Sequence, residues 1–434
     1  MTSWTMVSAE LDIWMGGARV GLLDGSDRRN LRVIYDDQWV EQSGSTPISV
    51  SMPLGGRSYS GQRVAAYLWG LLPDNDRVLE RWASAYQCSA TDVFGLLRAV
   101  GNDVAGAAQY VTPGAPAEET TLGQIDPLTE IDVAGLLRGL RADATAWHPN
   151  TQGRWSLAGA QAKLALAHDE VTGTWGIPSG ASPTTHILKP AIAGLAGHDL
   201  NEHLCLSTAG RLGLRVAQSR VLRFGEESAL VVARFDRTWR DGAVVRIHQE
   251  DCCQALGVHP ARKYQVEGGP SIEDIAGLLR DVEIGGADAD VDALVRAAAF
   301  NWLVLGTDAH AKNYSLLLSG RQARLAPLYD LASAAPYGDH PKRLKLAQKV
   351  GGEYRPAFIA RRHWEQLAIT VGVDAERLCI DIMEMAVCLP DALSEAIGAT
   401  GDAVGGSDGA QKLLDSVAAW AEICRRAMSS ASRT

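Results

Sequence analysis

Residues 297–315 read "AAAFNWLVLGTDAHAKNYS". The apolar run starts further upstream, in "VDALVRAAAF", with the spacing of a buried helix, and it stops abruptly at Gly306. Beyond the glycine come Asp308, His310, Lys312 and Asn313. Polar side chains at the end of a buried helix need partners, either in a turn or in a ligand.

Asp308 and Asn313 stand five positions apart, the offset of the protein-kinase loop H-R-D-x-x-x-x-N, in which aspartate takes the hydroxyl proton and asparagine holds a metal. Further on, "LAPLYDLASA" (325–334) puts Asp330 behind a strand-like apolar run, the place of the metal-binding aspartate of D-F-G. Oxygen ligands from Asn313 and Asp330 suit Mg²⁺. Taken singly, Asp308 and Asn313 read equally well as helix caps or turn residues. Lys312 adds a cation that can stabilise charge on a transferred phosphate. His310 reads most simply as a residue whose hydrogen bond shapes the loop.

Two upstream stretches complete the order seen in kinases. In "GRWSLAGAQAKLAL" (153–166) the small residues Ala158, Gly159 and Ala160 let backbone N–H groups approach phosphate, although a turn between strands would look the same. In "TTHILKP" (184–190) Lys189 ends a strand, where it is either a solvated rim charge or a phosphate contact. Glu202, in the next helix, is a candidate partner for Lys189 or simply an acid in a first helical turn.

Composition agrees with a globular enzyme. The 434 residues are 46% hydrophobic and 21% charged, with a net charge of −10, which argues against nucleic-acid or anionic-membrane binding through the overall field. The seven cysteines are scattered, without a C-x-x-C pair, as expected of reduced thiols in a cytoplasm. The amino terminus carries no signal-peptide pattern, and no run approaches a membrane span. Polar or glycine-rich stretches at 112–121, 177–185 and 398–410 read as loops or boundaries. Strand signals occur in "LDIWMGGARVGLL", "LRVIYD", "KLALAH", "TTHILKP", "ALVVARF" and "VVRIHQ", and helices dominate from about residue 272. The expected fold is α+β: an amino-terminal α+β subdomain (1–112), a strand-rich nucleotide-binding lobe (122–270) and a helical catalytic lobe (271–434).

"SLAGAQAKLAL", "PTTHILKP", "NEHLCLSTAGRLGL", "ARFDR", "HQEDCCQALG", "KYQVEGGP", "GTDAHAKNYSLL" and "LAPLYDLASA" occur in the order and approximate spacing of the HipA family of serine/threonine kinase toxins. "ISVSMPL", "LLPDNDRVLERWA" and "FGLLRAVGNDVAGAAQYV" resemble its amino-terminal part. The resemblance implies a two-lobed, protein-kinase-like fold and an ATP- and Mg²⁺-dependent protein kinase. On that analogy Asp308 is the catalytic base, and Asn313 and Asp330 hold Mg²⁺. Ala158, Gly159, Ala160, Gln161, Ala162 and Lys163 form the phosphate loop, and Lys189 contacts phosphates. Ala233, Arg234 and Phe235 form the adenine hinge, while His310, Ala311, Lys312, Asn313 and Tyr329 complete the nucleotide site. Ser156 aligns with a regulatory serine that autophosphorylates.

The resemblance further implies a helix-turn-helix antitoxin of the HipB type as partner, DNA contact only through that complex, and an aminoacyl-tRNA synthetase as substrate. Ala162 stands where the family motif has glutamate, and Ala233 replaces a glutamate often found before R-F-D. Two other readings stay open: a nucleotide-binding pseudokinase acting as co-repressor, and a metal-dependent phosphohydrolase using Asp308 and His310.

Overall fold

The computed structural model describes residues 8–115, 122–147, 155–192, 194–282, 286–338, 341–401 and 407–429. Parts of the amino-terminal reading (1–7) and of two expected loops (116–121 and 402–406) lie outside the described residues. Packing groups the chain into two compact units, Met1–His186 with Asp236–Ala261 and Leu317–Arg321, and Ile187–Phe235 with Arg262–Leu316 and Gln322–Thr434. These units interleave along the chain. Strands and helices are numbered along the whole chain.

In the first unit, β1 (Glu10–Met15), β2 (Ala18–Asp24), β3 (Arg32–Tyr35), β4 (Ser58–Ser60) and β5 (Gln109–Val111) form an antiparallel sheet in the order β4-β3-β2-β1-β5. The β1–β2 turn is the Gly16–Gly17 pair, both at positive φ (56° and 79°), as a tight hairpin turn of this kind requires. Leu11, Ile13 and Met15 are buried, so β1 shows the period of two expected of a half-buried strand.

The helices α1 (Asp37–Glu41), α2 (Gln62–Gly70), α3 (Asp76–Tyr86) and α4 (Val93–Val100) belong to the same unit. Its α4 starts where the Asp92 carboxylate accepts from Gly95 N–H at 3.1 Å and stops at Gly101, as expected. A second group of strands is β6 (Gly123–Leu128), β7 (Leu164–Asp169) and β8 (Thr174–Gly180), with β8 antiparallel to both neighbours. The stretch 177–185 therefore does not begin as a loop. Ile177–Gly180 continue β8, and Pro178 is tolerated because β7 pairs only with Thr174, Trp175 and Gly176. The unit also holds α5 (Glu130–Ala142), the β12–β13 hairpin (Arg237–Arg240, Ala243–Arg246), β14 (His248–Asp251) and the short α7 (Cys252–Ala255).

The second unit takes β9 (His186–Pro190) from Ile187 onward, with β10 (Ser219–Phe224) and β11 (Glu227–Ala233) in the order β10-β11-β9, and α6 (His198–Arg211) in between. Helices α8 (Ile272–Val282), α9 (Ala287–Leu303), α10 (Arg361–Val371), α11 (Ala375–Thr400) and α12 (Ser407–Ser429) make its helical part. Two short strands, β15 (Ser315–Ser319) and β16 (Gln322–Leu325), follow the polar decapeptide and were not expected. The core forms around α9: Trp302 donates its ring N–H to the Pro356 carbonyl at 3.0 Å, and Trp420 donates to the Trp302 carbonyl at 2.7 Å. Both indoles are buried with their polar atoms satisfied. No described helix is long and apolar enough to cross a membrane.

Within the first unit, Asp103 is the main polar junction. It is 4% exposed. One carboxylate oxygen accepts from Arg237 (2.9 Å) and Arg246 (3.0 Å), and the other from the Thr184 N–H (3.0 Å) and hydroxyl (2.7 Å). Its backbone carbonyl accepts from Ser156 N–H at 2.9 Å. Removing the carboxylate leaves two guanidinium groups largely buried with their shared counter-charge gone. Asp103→Ala should therefore destabilise the unit by about 3–5 kcal/mol, read from chemical denaturation. A loss within the scatter of a surface substitution would refute this role.

Candidate functional site

The helix α9 ends at Leu303, and its last carbonyls need donors. Leu305 turns into the left-handed region (φ 58°), which lets Gly306 N–H return to the Asn301 carbonyl at 2.7 Å. The remaining carbonyls are met from downstream. Ser333 Oγ donates to the Val304 carbonyl at 2.6 Å, and Ala334 N–H to that of Leu305 at 3.1 Å. This ties the segment carrying Asp330 to the helix that delivers Asp308.

From α6, Asn201 grips the same segment. Its Oδ1 accepts from Ser333 N–H (2.9 Å), and its Nδ2 donates to the Ser333 carbonyl (2.8 Å). The neighbouring Glu202 accepts from the Lys189 ammonium at 2.8 Å, and Asp330 accepts from the same ammonium at 2.6 Å. Lys189 and Glu202 are buried, whereas the Asp330 side chain is 40% exposed. Burial pulls the Lys189 ammonium toward deprotonation, but Asp330 and Glu202 outweigh it and hold the pKa above the ordinary lysine value. Lys189 is a fixed cation, not a rim charge. Asp330 sits at φ 58°, a strained position for a non-glycine residue.

The decapeptide itself is a tight loop. Asp308 is exposed, and its backbone carbonyl accepts from His310 N–H and Asn313 Nδ2, both at 2.8 Å. Asn313 spends its amide donor there and keeps its carbonyl oxygen as an acceptor. One Asp308 carboxylate oxygen accepts from the Tyr264 hydroxyl at 2.6 Å. The hydroxyl of Tyr329 donates to the Lys312 carbonyl at 2.6 Å and lies 2.6 Å from Ser315 Oγ, pinning the loop from the Asp330 side. Lys312 and Ala311 are buried.

His310 makes its loop-shaping bond through the backbone N–H, while its ring Nδ1 has no hydrogen-bond partner. The ring packs edge-on against Tyr264, centroids 5.0 Å apart. Burial lowers its pKa to about 4, against the charge of Asp308, so the imidazole is neutral at pH 7. Its field also includes Lys263, Asp330 and Lys312, which places both carboxylates in its surroundings.

The segment Ala233, Arg234 and Phe235 begins at the last residue of β11, with Ala233 N–H donating to the Gln218 carbonyl at 2.9 Å. Phe235 and Tyr329, 5.5 Å apart, pack on the buried apolar cluster Ala217, Leu230 and Val232. Ala158–Lys163 and Ser156 belong to the first unit. There Gly159 takes φ 103°, a conformation only glycine adopts easily, and its carbonyl accepts from Asp74 N–H at 3.0 Å. Asn75 donates to the Ala160 carbonyl at 3.3 Å, and Lys163 donates to that of Ala158. Ala162 and Gln161 are half-buried. Ser156 is fully buried, its hydroxyl donating to the Leu71 carbonyl at 2.7 Å.

Sequence reading missed Asn201 and Tyr264. Asn201 directly precedes Glu202 inside a helix where nothing marks it. Tyr264 lies in a quoted stretch, "KYQVEGGP", but 44 positions from Asp308.

Family models and known proteins resemble the chain over most of its length. Residues 11–111 match the HipA N-terminal domain and residues 155–393 the HipA-like C-terminal domain. A Sinorhizobium fredii protein provisionally named as the kinase Y4mE is 36% identical over 96% of this chain and 98% of its own length. The serine/threonine-protein kinase toxin HipA of Shewanella oneidensis is 29% identical over 91% of this chain and 90% of its own. The Shewanella oneidensis structure described as HipA with HipB and operator DNA superposes with a TM-score of 0.84 at 26% identity, covering 96% of this chain and 98% of that one. The α+β architecture expected from sequence is the one observed, and the chain belongs to the HipA family of kinases.

Proposed function

We propose that this protein transfers the γ-phosphoryl group of ATP to a serine or threonine hydroxyl, with Mg²⁺ as the metal. The single observation that carries the reading is the charge set around Lys189: a buried ammonium held between Glu202 and Asp330, with Asp330 still exposed on its other side. A buried cation fixed in this way orients phosphate oxygens without reorganising. Asp308 presents an exposed carboxylate to the incoming hydroxyl and takes its proton as the oxygen attacks the γ-phosphorus and the bond to the β,γ-bridging oxygen breaks, releasing ADP. The Asn313 carbonyl oxygen and the Asp330 carboxylate form a hard-oxygen donor set that fits Mg²⁺. Those two residues would hold the ion, which when bound neutralises charge on the phosphate oxygens.

Phe235 and Tyr329 on their apolar cluster suit an adenine ring beside the backbone of Ala233 and Arg234. Ala158–Lys163 would cradle phosphates through backbone N–H groups, which Ala162 and Ala233 leave unaltered. His310, Ala311 and Lys312 support the nucleotide site from the loop. The three-segment division belongs to the same reading: 1–112, 122–270 and 271–434 as subdomain, nucleotide lobe and catalytic lobe.

Ser156 is the proposed autophosphorylation site. Its hydroxyl is buried, so the loop must leave its place before transfer, and the resulting dianion would then repel nucleotide phosphates. The proposed partner is a helix-turn-helix antitoxin of the HipB type, with DNA reached only through it. The proposed substrate is an aminoacyl-tRNA synthetase in the cytoplasm, which would slow growth.

Purified protein given labelled ATP and Mg²⁺ should label itself and substrate. Asp308→Asn should reduce transfer by about 10²–10⁴-fold while keeping ATP affinity, and Lys189→Met should reduce it by about 10²–10³-fold. Transfer undiminished in Asp308→Asn would remove Asp308 as the base. Antitoxin binding without any transfer by the wild type would favour the co-repressor reading instead.

The Tyr264 hydroxyl holds one of the two Asp308 carboxylate oxygens and on this reading competes with the substrate hydroxyl for it. Tyr264→Phe should raise turnover about two- to tenfold, the worth of one solvent-accessible hydrogen bond; a fall in turnover would mean that Tyr264 positions Asp308.

His310 has a folded pKa below its unfolded one, so the unfolded chain binds the extra proton. The stability it contributes is complete above about pH 6.5 and is lost as pH falls through about 4. In His310→Gln the stability difference between pH 7 and pH 4 should shrink by about 2–3 kcal/mol, measured by denaturation at each pH. An unchanged difference would show that His310 does not titrate with folding.

A further inference from the structure

We propose that His168, Glu170 and His186 form a binding site for one borderline divalent cation, Zn²⁺ being the best fit. The site lies wholly in the first unit and does not depend on the phosphoryl-transfer reading. One ligand atom from each residue lies within 4.8 Å of the other two. Two imidazoles and a carboxylate are the donor set of three-protein-ligand zinc sites.

Local structure explains why these three residues meet. His168 is the penultimate residue of β7 and Glu170 opens the turn just beyond it, and the turn leaves the Glu170 carboxylate within reach of the His168 ring. Asp169 between them is engaged elsewhere, its carboxylate accepting from Val171 N–H at 2.9 Å and closing the turn that leads to Gly173. His186 is brought alongside by Thr185, whose N–H donates to the Leu166 carbonyl at 2.9 Å and whose hydroxyl accepts from His168 N–H at 2.8 Å. The two histidine positions are therefore fixed by backbone, which is what a preformed site needs.

The ring orientations favour the same conclusion. Thr185 Oγ1 lies 2.9 Å from His186 Nδ1, engaging that nitrogen, while Nε2 faces Glu170 Oε1 at 3.7 Å. A partner on the far nitrogen that aims the near one at the ion is the usual support of a metal-bound histidine. Trp175, paired with His168 across the strands, stacks on its ring with centroids 4.1 Å apart and stands 5.5 Å from His186. This wall leaves the imidazoles little freedom to turn away.

Bonds of 2.0–2.1 Å in a tetrahedral site put donors about 3.3 Å apart. Donors within 4.8 Å of one another need only a small contraction to reach that spacing, and the Glu170 side chain, 63% exposed, is able to move. A fourth position would take water. Because β7 begins at Leu164, directly after Lys163, the ion would clamp the far end of the strand that leads out of the small-residue loop.

The test uses the full chain, stripped of metal with a chelator. Titration with Zn²⁺ by calorimetry should show one saturable site of micromolar affinity or tighter. Co²⁺ should give visible d–d bands without a thiolate charge-transfer band. His168→Gln and His186→Gln should abolish binding. Thr185→Val should weaken it about 10–100-fold, with circular dichroism and phosphoryl transfer unchanged. Glu170→Gln, on an exposed side chain, should fold normally and weaken binding at least about tenfold, which keeps the proposal testable if a histidine variant does not fold. Absence of saturable binding to folded wild type would overturn the site. So would equal binding by Glu170→Gln, or a thiolate band that assigns the ion to cysteine.

Discussion

An ammonium ion in a protein interior is tolerated only where opposite charge meets it, because desolvation alone would drive off its proton. Lys189 is such a group, and much of the second unit is arranged around it. Glu202, 1% exposed, supplies one carboxylate from α6, and Asp330 supplies the other from the loop beyond β16. The strained backbone at Asp330 persists because its neighbours fix it on both sides. Tyr329 is bonded to the Lys312 carbonyl, and Ser333 is bonded to Asn201 and to the end of α9. The buried ammonium of Lys189, the loop that carries Asp308 and the Asp330 carboxylate are thus set by one connected hydrogen-bond network.

What could be read from sequence was local. The Asp308–Asn313 spacing, the end of α9 at a glycine and the alternation in β1 each depend on residues a few positions apart. The kinase order of small-residue loop, strand lysine and two aspartates was legible because each part carries its own short signal. Asn201, Tyr264 and Asp103 were not, since their roles arise from partners 132, 44 and 134 positions away (Ser333, Asp308 and Arg237). Glu202 was legible only as one of two readings, and its 2.8 Å contact decided between them.

Misreadings have physical causes as well. Pro178 and Gly180 signal a turn, yet a strand with one partner at that point accepts a proline. The short strands β15 and β16 were hidden behind an apolar stretch that looked like a simple run into Asp330. In both cases tertiary surroundings overrode a preference that was correctly read. His310 shapes the loop through its backbone N–H, while its ring packs edge-on against Tyr264.

The central claim is that Lys189 and Glu202 act as one unit in phosphoryl transfer. The most direct measurement is a double-mutant cycle on single-turnover transfer from ATP, using Lys189→Met, Glu202→Gln and the double variant. Residues acting through one contact give strongly non-additive effects. The double variant should be no slower than the slower single variant, within about threefold. Losses that multiply, with each residue contributing independently, would contradict the claim.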